Sequence, residues 1–118
     1  MNNKLNQRVL IVANWKCNPS TQREAERLFN EIRKGVKGIR DIEIVISSPF
    51  IFLPILLEKV FKKTKKKSIL KIGAQNCFWE NLGPFTGEIS PLMLKNLGVE
   101  YVILGHSERK KYFKETMS

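Results

Sequence analysis

Apolar residues come in short runs, and the segments between the runs have helical spacing. This predicts strands alternating with helices around a parallel sheet. Residues 9–14 (VLIVAN) form the first such run. Ser20 and Thr21 then offer a helix cap, with Thr21-x-x-Glu24 resembling a capping box. Ala25, Leu28, Phe29, Ile32 and Val36 follow as one apolar stripe, and Gly35 and Gly38 end that helix. Residues 42–47 make a second strand, with Ile42, Ile44 and Ile46 on one face and Val45 on the other. Pro49 breaks it, and a helix is expected from about residue 52 to 63. Residues 69–74 make a third strand. A loop then begins at Gln75 and ends at Glu88, long enough to expect function or a packing partner. Ser90 caps a short helix with Pro91 at its first position, Leu92, Leu94 and Leu97 supply its apolar face, and Gly98 ends it.

The next ten residues, YVILGHSERK, carry the most information. Tyr101, Val102, Ile103 and Leu104 have the pattern of a strand buried on both faces. Gly105 stops it, and the only histidine of the chain, His106, follows at once. Ser107, a capping-type hydroxyl, with Glu108 and Arg109 then opens a helix. A histidine there sits beside the positive end of a helix dipole, which favours a neutral imidazole able to donate a hydrogen bond to a carbonyl oxygen. Glu108, Lys111, Tyr112 and Glu115 continue the helical pattern, with no glycine or proline to stop it before the last residue.

Three further motifs stand at strand or loop ends: Ala13-Asn14-Trp15-Lys16-Cys17-Asn18, Gly73-Ala74-Gln75-Asn76, and the segment Phe85-Thr86-Gly87-Glu88-Ile89-Ser90-Pro91. With Gly105-His106-Ser107-Glu108-Arg109, and in this order, they closely resemble the triosephosphate isomerase family from about Val9 onward. The resemblance implies interconversion of dihydroxyacetone phosphate and glyceraldehyde 3-phosphate through an enediolate in a (β/α)8 barrel. It needs no cofactor and no metal. In this likeness His106 is the electrophile that polarises the carbonyl, and Lys16 and Asn14 bind substrate. Glu108 is the buried acid that pairs with Lys16, and Ser107 holds the catalytic base at rest. Thr86 and Phe85 are placed on a loop that enters a second subunit near Cys17, with Gln75 and Asn76 close to that contact. A homodimer is therefore expected. The family's catalytic glutamate lies on a later strand and has no counterpart among the acids here.

Length alters this picture. A (β/α)8 barrel takes roughly 250 residues, against 118 here. The expectation is one incomplete barrel domain over residues 1–118: four parallel strands, three full helices and the start of a fourth, with half an active site. The alternative reading is an inactive half-barrel that self-associates or binds phosphate. The net charge of +10 owes much to Lys62, Lys63, Lys65, Lys66 and Lys67, read as a solvated loop. No aromatics are interleaved for base stacking, so no nucleic-acid partner is expected. Cys17 and Cys77 lack metal-ligand spacing and read as free thiols of a reducing cytoplasm. No apolar stretch approaches the roughly 20 residues that span a bilayer, and the polar N-terminus has no signal-peptide core.

Overall fold

The computed structural model describes residues 9–63 and 69–116. The N-terminal eight residues and Lys65, Lys66 and Lys67 of the basic run lie outside the described residues. The elements alternate as expected: β1 (Val9–Asn14), α1 (Gln22–Gly35), β2 (Ile42–Ser48), α2 (Leu53–Lys63), β3 (Leu70–Ala74), α3 (Pro91–Leu97), β4 (Tyr101–Val102) and α4 (Ser107–Phe113). One turn of 3-10 helix, Phe50–Phe52, leads into α2. The sheet is parallel with order β1-β2-β3-β4, half of a (β/α)8 barrel.

Alternation in the strands decides where the core lies. Ile46, Leu70, Ile72 and Ala74 point to the helical side and pack with Ala25 and Phe29 of α1, Leu53, Leu56 and Leu57 of α2, and Leu94 of α3. All of these are under 5 % exposed, and burial of one such side chain is worth about 1.5–3 kcal/mol. The helices are fixed locally as well. Thr21 Oγ1 accepts from the N–H of Glu24 at 3.2 Å, and Ser90 Oγ from that of Met93 at 3.0 Å. Only half of the expected capping box forms, because the Glu24 carboxylate turns to Arg27 instead. Gly35 is the last helical residue of α1, and Gly38 completes the turn with φ +86°.

Three expectations need correction. The fourth strand pairs over Tyr101 and Val102 alone and is not buried on both faces: Val102 is 36 % and Leu104 66 % exposed. It is an edge strand, as is β1, whose Val9, Leu10, Ile11 and Val12 are 46–60 % exposed. Second, α4 does stop. Lys114 adopts a left-handed conformation (φ 55°) with its N–H on the carbonyl of Arg109, while Arg109 grips Glu115 at 2.7 Å. Side chains supply the stop where glycine and proline do not. Third, the cap of α4 is His106, not Ser107, for reasons of site geometry described below.

On the sheet's other face, Asn14, Ser47, Gly73 and Tyr101 form one row across the strands. A Cβ at Gly73 would stand 2.8 Å from Val45 Cγ1 and 3.1 Å from both Ser47 Oγ and Tyr101 O. Glycine there lets β2 and β4 close over β3. Gly73→Ala is expected to lose about 1–3 kcal/mol by overpacking, read as a lower urea midpoint at unchanged slope. An unshifted midpoint would show that the row has slack.

Candidate functional site

The carboxyl ends of the strands converge on a cavity of about 280 Å³. Asn14, Lys16 and Cys17 reach it from the end of β1, Gln75 and Asn76 from β3, and His106 and Glu108 from β4 and α4. Seven of the residues singled out in the sequence are thus brought together. Ser107 is exposed on the first turn of α4 and does not line the cavity; nor do Phe85 and Thr86, which lie out on the loop after β3. There Phe78 stacks against Trp79 and Phe85, with ring centroids 4.0 and 4.7 Å apart. Arg109, the last residue of the motif after Gly105, also lines the cavity, as do Phe50 and Phe113, which carried no sequence signal beyond their neighbourhood. A larger groove of about 560 Å³ runs between α1 and α2. Its polar groups are engaged with one another (Lys59 with Glu26, Arg33 with Asn30 and Lys59 O), and it lies on the helical layer away from the strand ends.

The end of β1 is held in an unusual shape. Lys16 has φ 58°, a left-handed conformation that costs a non-glycine residue about 1–2 kcal/mol. Asn14 Oδ1 accepts from the Lys16 N–H at 2.8 Å, the local turn that this residue type makes readily. The Gln75 carboxamide finishes the clamp from β3. Its Nε2 donates to Lys16 O at 2.7 Å and Ser47 O at 3.0 Å, and stands 3.3 Å from Asn14 Oδ1. Ser47 O also receives the Trp15 N–H at 2.9 Å. Gln75 is therefore the hub of the strand ends, a larger part than its expected place beside an intersubunit contact.

His106 caps α4 with its own ring. Its backbone is extended (φ −54°, ψ 146°), as a cap requires, and its Nδ1 accepts from the Glu108 N–H at 3.0 Å. An accepting Nδ1 carries a lone pair, so the proton of the neutral ring resides on Nε2. Ser107 stands one residue too late to act as the cap.

Lys16 Nζ meets Glu108 Oε2 at 2.9 Å. The pairing matches expectation, the burial does not: the side chains are 55 % and 43 % exposed, because nothing among the described residues covers the cavity mouth. An ion pair this exposed is screened by water and adds little to stability. Its value here is positional, since it sets an ammonium beside the imidazole. The hydrogen bond from Lys16, and then its charge, hold the Glu108 carboxyl below the ordinary carboxylate range, against a partial opposing effect of desolvation. A depressed folded value means the pair stabilises the fold above the ordinary carboxylate pKa and loses that effect as pH falls through the folded value. Carboxyl-detected NMR titration is expected to find Glu108 below the usual range and to return it upward in Lys16→Met. An unmoved Glu108 in that variant would dissociate the pair.

Comparison with known proteins places the sequence in a family. Residues 9–118 match the family model described as Triosephosphate isomerase. The triosephosphate isomerase of Dictyoglomus turgidum is 48 % identical over 109 residues, which is 92 % of this chain and 41 % of that protein. The one from Dictyoglomus thermophilum is 49 % identical over the same length and shares. That of Streptococcus mutans is 42 % identical over 112 residues, 95 % of this chain and 42 % of the relative. The chain thus spans about two fifths of the length of the curated relatives it matches.

Proposed function

The chain belongs to the triosephosphate isomerase family, and on that premise we propose that it carries the carbonyl-polarising half of a site interconverting dihydroxyacetone phosphate and glyceraldehyde 3-phosphate. One observation carries the reading: in a single cavity His106 is locked as a ring that accepts at Nδ1, next to an ammonium oriented by Glu108. Nε2–H of His106 donates to the substrate carbonyl oxygen and stabilises the enediolate without being an acid strong enough to trap it. The family is itself the standard example of that neutral histidine, so the role is inherited and the Nδ1 bond supports it. Lys16 offers its charge to the substrate oxygens and phosphate, and Asn14 its amide. Glu108 and Gln75 act on Lys16 from either side, the first on its ammonium and the second on its backbone. Ser107 takes the part of holding the base at rest.

Glu108 is a poor base, since Lys16 keeps it ionised and engaged. The family likeness assigns the proton-abstracting carboxylate to a later strand outside these 118 residues, and with it the cover that excludes water. The purified chain alone is therefore expected to show no turnover in a coupled assay, because general-base catalysis supplies about 10²–10⁴-fold by itself. Grafting residues 9–118 in place of the corresponding segment of the Dictyoglomus turgidum relative is expected to give an active isomerase. His106→Gln should then lower its kcat by about 10²–10⁴. A folded but inactive graft, or one indifferent to His106, would refute the assignment.

We assign the loop of residues 75–88 to a homodimer contact. Trp79 (81 % exposed), Leu82 (73 %) and Phe85 (39 %) present an apolar surface there, and Thr86 is exposed beside them. Cys17, exposed at the cavity rim, marks the receiving groove. Among the described residues no helix is long and apolar enough to cross a membrane, and the free Cys17 and Cys77 fit a reducing cytoplasm. Thr86→Arg is expected to raise the dissociation constant at least tenfold in sedimentation equilibrium. A monomeric parent chain at micromolar concentration would remove this contact from the proposal.

A further inference from the structure

The strand that delivers His106 is weakly anchored. β4 pairs with β3 only through Gly73↔Tyr101 and Ala74↔Val102, followed by one more bond from Ile103 N–H to Ala74 O at 3.0 Å. Its far edge is open, and beyond Ile103 the chain passes through Leu104, 66 % exposed, and Gly105 at φ 61° before reaching the histidine. The residues His106 must face, Asn14 and Lys16, stand at the end of β1, at the opposite edge of the sheet. The backbone ladder alone leaves β4 free to swing about β3.

A side-chain bond crosses that gap. The Tyr101 hydroxyl donates to Glu43 Oε1 at 2.5 Å, joining β4 to β2 over the intervening β3. Glu43 in turn is the register partner of Leu10 on β1, the strand that ends in Asn14. The preceding residue adds a shorter tie, Glu100 to Lys71 on β3 at 3.3 Å. We propose that Tyr101 is a positioning residue for His106: its bond to Glu43 pins β4 to β2 and so sets the histidine's distance and angle to Lys16. The hydroxyl keeps its proton, with a pKa raised chiefly by the hydrogen bond to Glu43, so the clasp holds across the neutral range. This deepens the reading of His106 as the carbonyl polariser, but the geometry does not depend on that reading.

The test follows the ring and not turnover, so that it stands or falls separately from the isomerase assignment. In the 118-residue chain, two-bond nitrogen–proton correlations of His106 are recorded well above the free histidine value of about 6.5. The parent should show two widely separated ring nitrogens, an accepting Nδ1 and a protonated Nε2. Tyr101→Phe removes one oxygen and is expected to draw the two resonances toward their mean as the Glu108 N–H bond to Nδ1 loosens. Glu43→Gln keeps an acceptor for the tyrosine and should preserve the parent pattern. Should Tyr101→Phe lose its dispersed amide spectrum, the double variant Tyr101→Phe, Glu43→Met replaces both partners by apolar groups of similar shape, which restores folding while leaving the clasp broken. Averaged His106 signals in either folded variant support the proposal. Signals superimposable on the parent overturn it.

Discussion

The arrangement at the strand ends depends on one carboxamide. Gln75 holds the carbonyls of Lys16 and Ser47 and approaches the Asn14 side chain, so a single group from β3 fixes the exits of β1 and β2. Its strength lies in what its loss would expose. Without it Lys16 O would lose this donor and Ser47 O would keep the Trp15 N–H, while the left-handed Lys16 carries a cost of about 1–2 kcal/mol that such bonds help to offset. The Lys16 ammonium stands at the cavity, where Glu108 receives it.

The fold was legible because each signal had a single physical cause. Thr21, Ser90, Pro91 and Gly98 mark helix ends by hydrogen-bonding capacity or backbone freedom, and all four stand where the helices begin or end. Isoleucine alternation in residues 42–46 correctly separated the helical face from the face carrying Val45. The misreadings share a cause too. An apolar run such as Tyr101 to Leu104 tells how much surface a strand could bury, not what lies beside it; at an edge the same run stays half exposed. The stop of α4 has no signature in the sequence because it is made by a contact between Arg109 and Glu115, six residues apart, and not by any one residue's propensity.

The site was legible in a different way. Motifs pointed to seven residues that share one cavity, whereas the bonds that hold them had no motif. No pattern says that an imidazole will cap a helix, that Gln75 will serve three acceptors, or that Tyr101 will reach past β3 to Glu43 on β2. These are tertiary facts, fixed by which residues share a row once the register is set. Ser47 shows the same limit in reverse. Its carbonyl is fully used, yet its buried Oγ has no hydrogen-bond partner among the described residues, and nothing in the structure explains why a hydroxyl stands there.

The exposure of the charged pair separates what the strand ends supply from what they do not. Two unit charges 4 Å apart interact by about 1 kcal/mol in water and about 4 kcal/mol at an effective dielectric of 20. With Lys16 and Glu108 about half exposed, the field that would act on a bound carbonyl is close to the weaker limit. A hydrogen bond from His106 would compete there with water as donor. Geometry is thus preformed on the sheet, since the His106 tautomer, the Lys16 conformation and their pairing with Glu108 all follow from local bonds. The low dielectric is not, because it requires a cover over the cavity mouth. Orientation can be built by four strands; electrostatic stabilisation of an enediolate demands the enclosure that turns the same donors into strong ones.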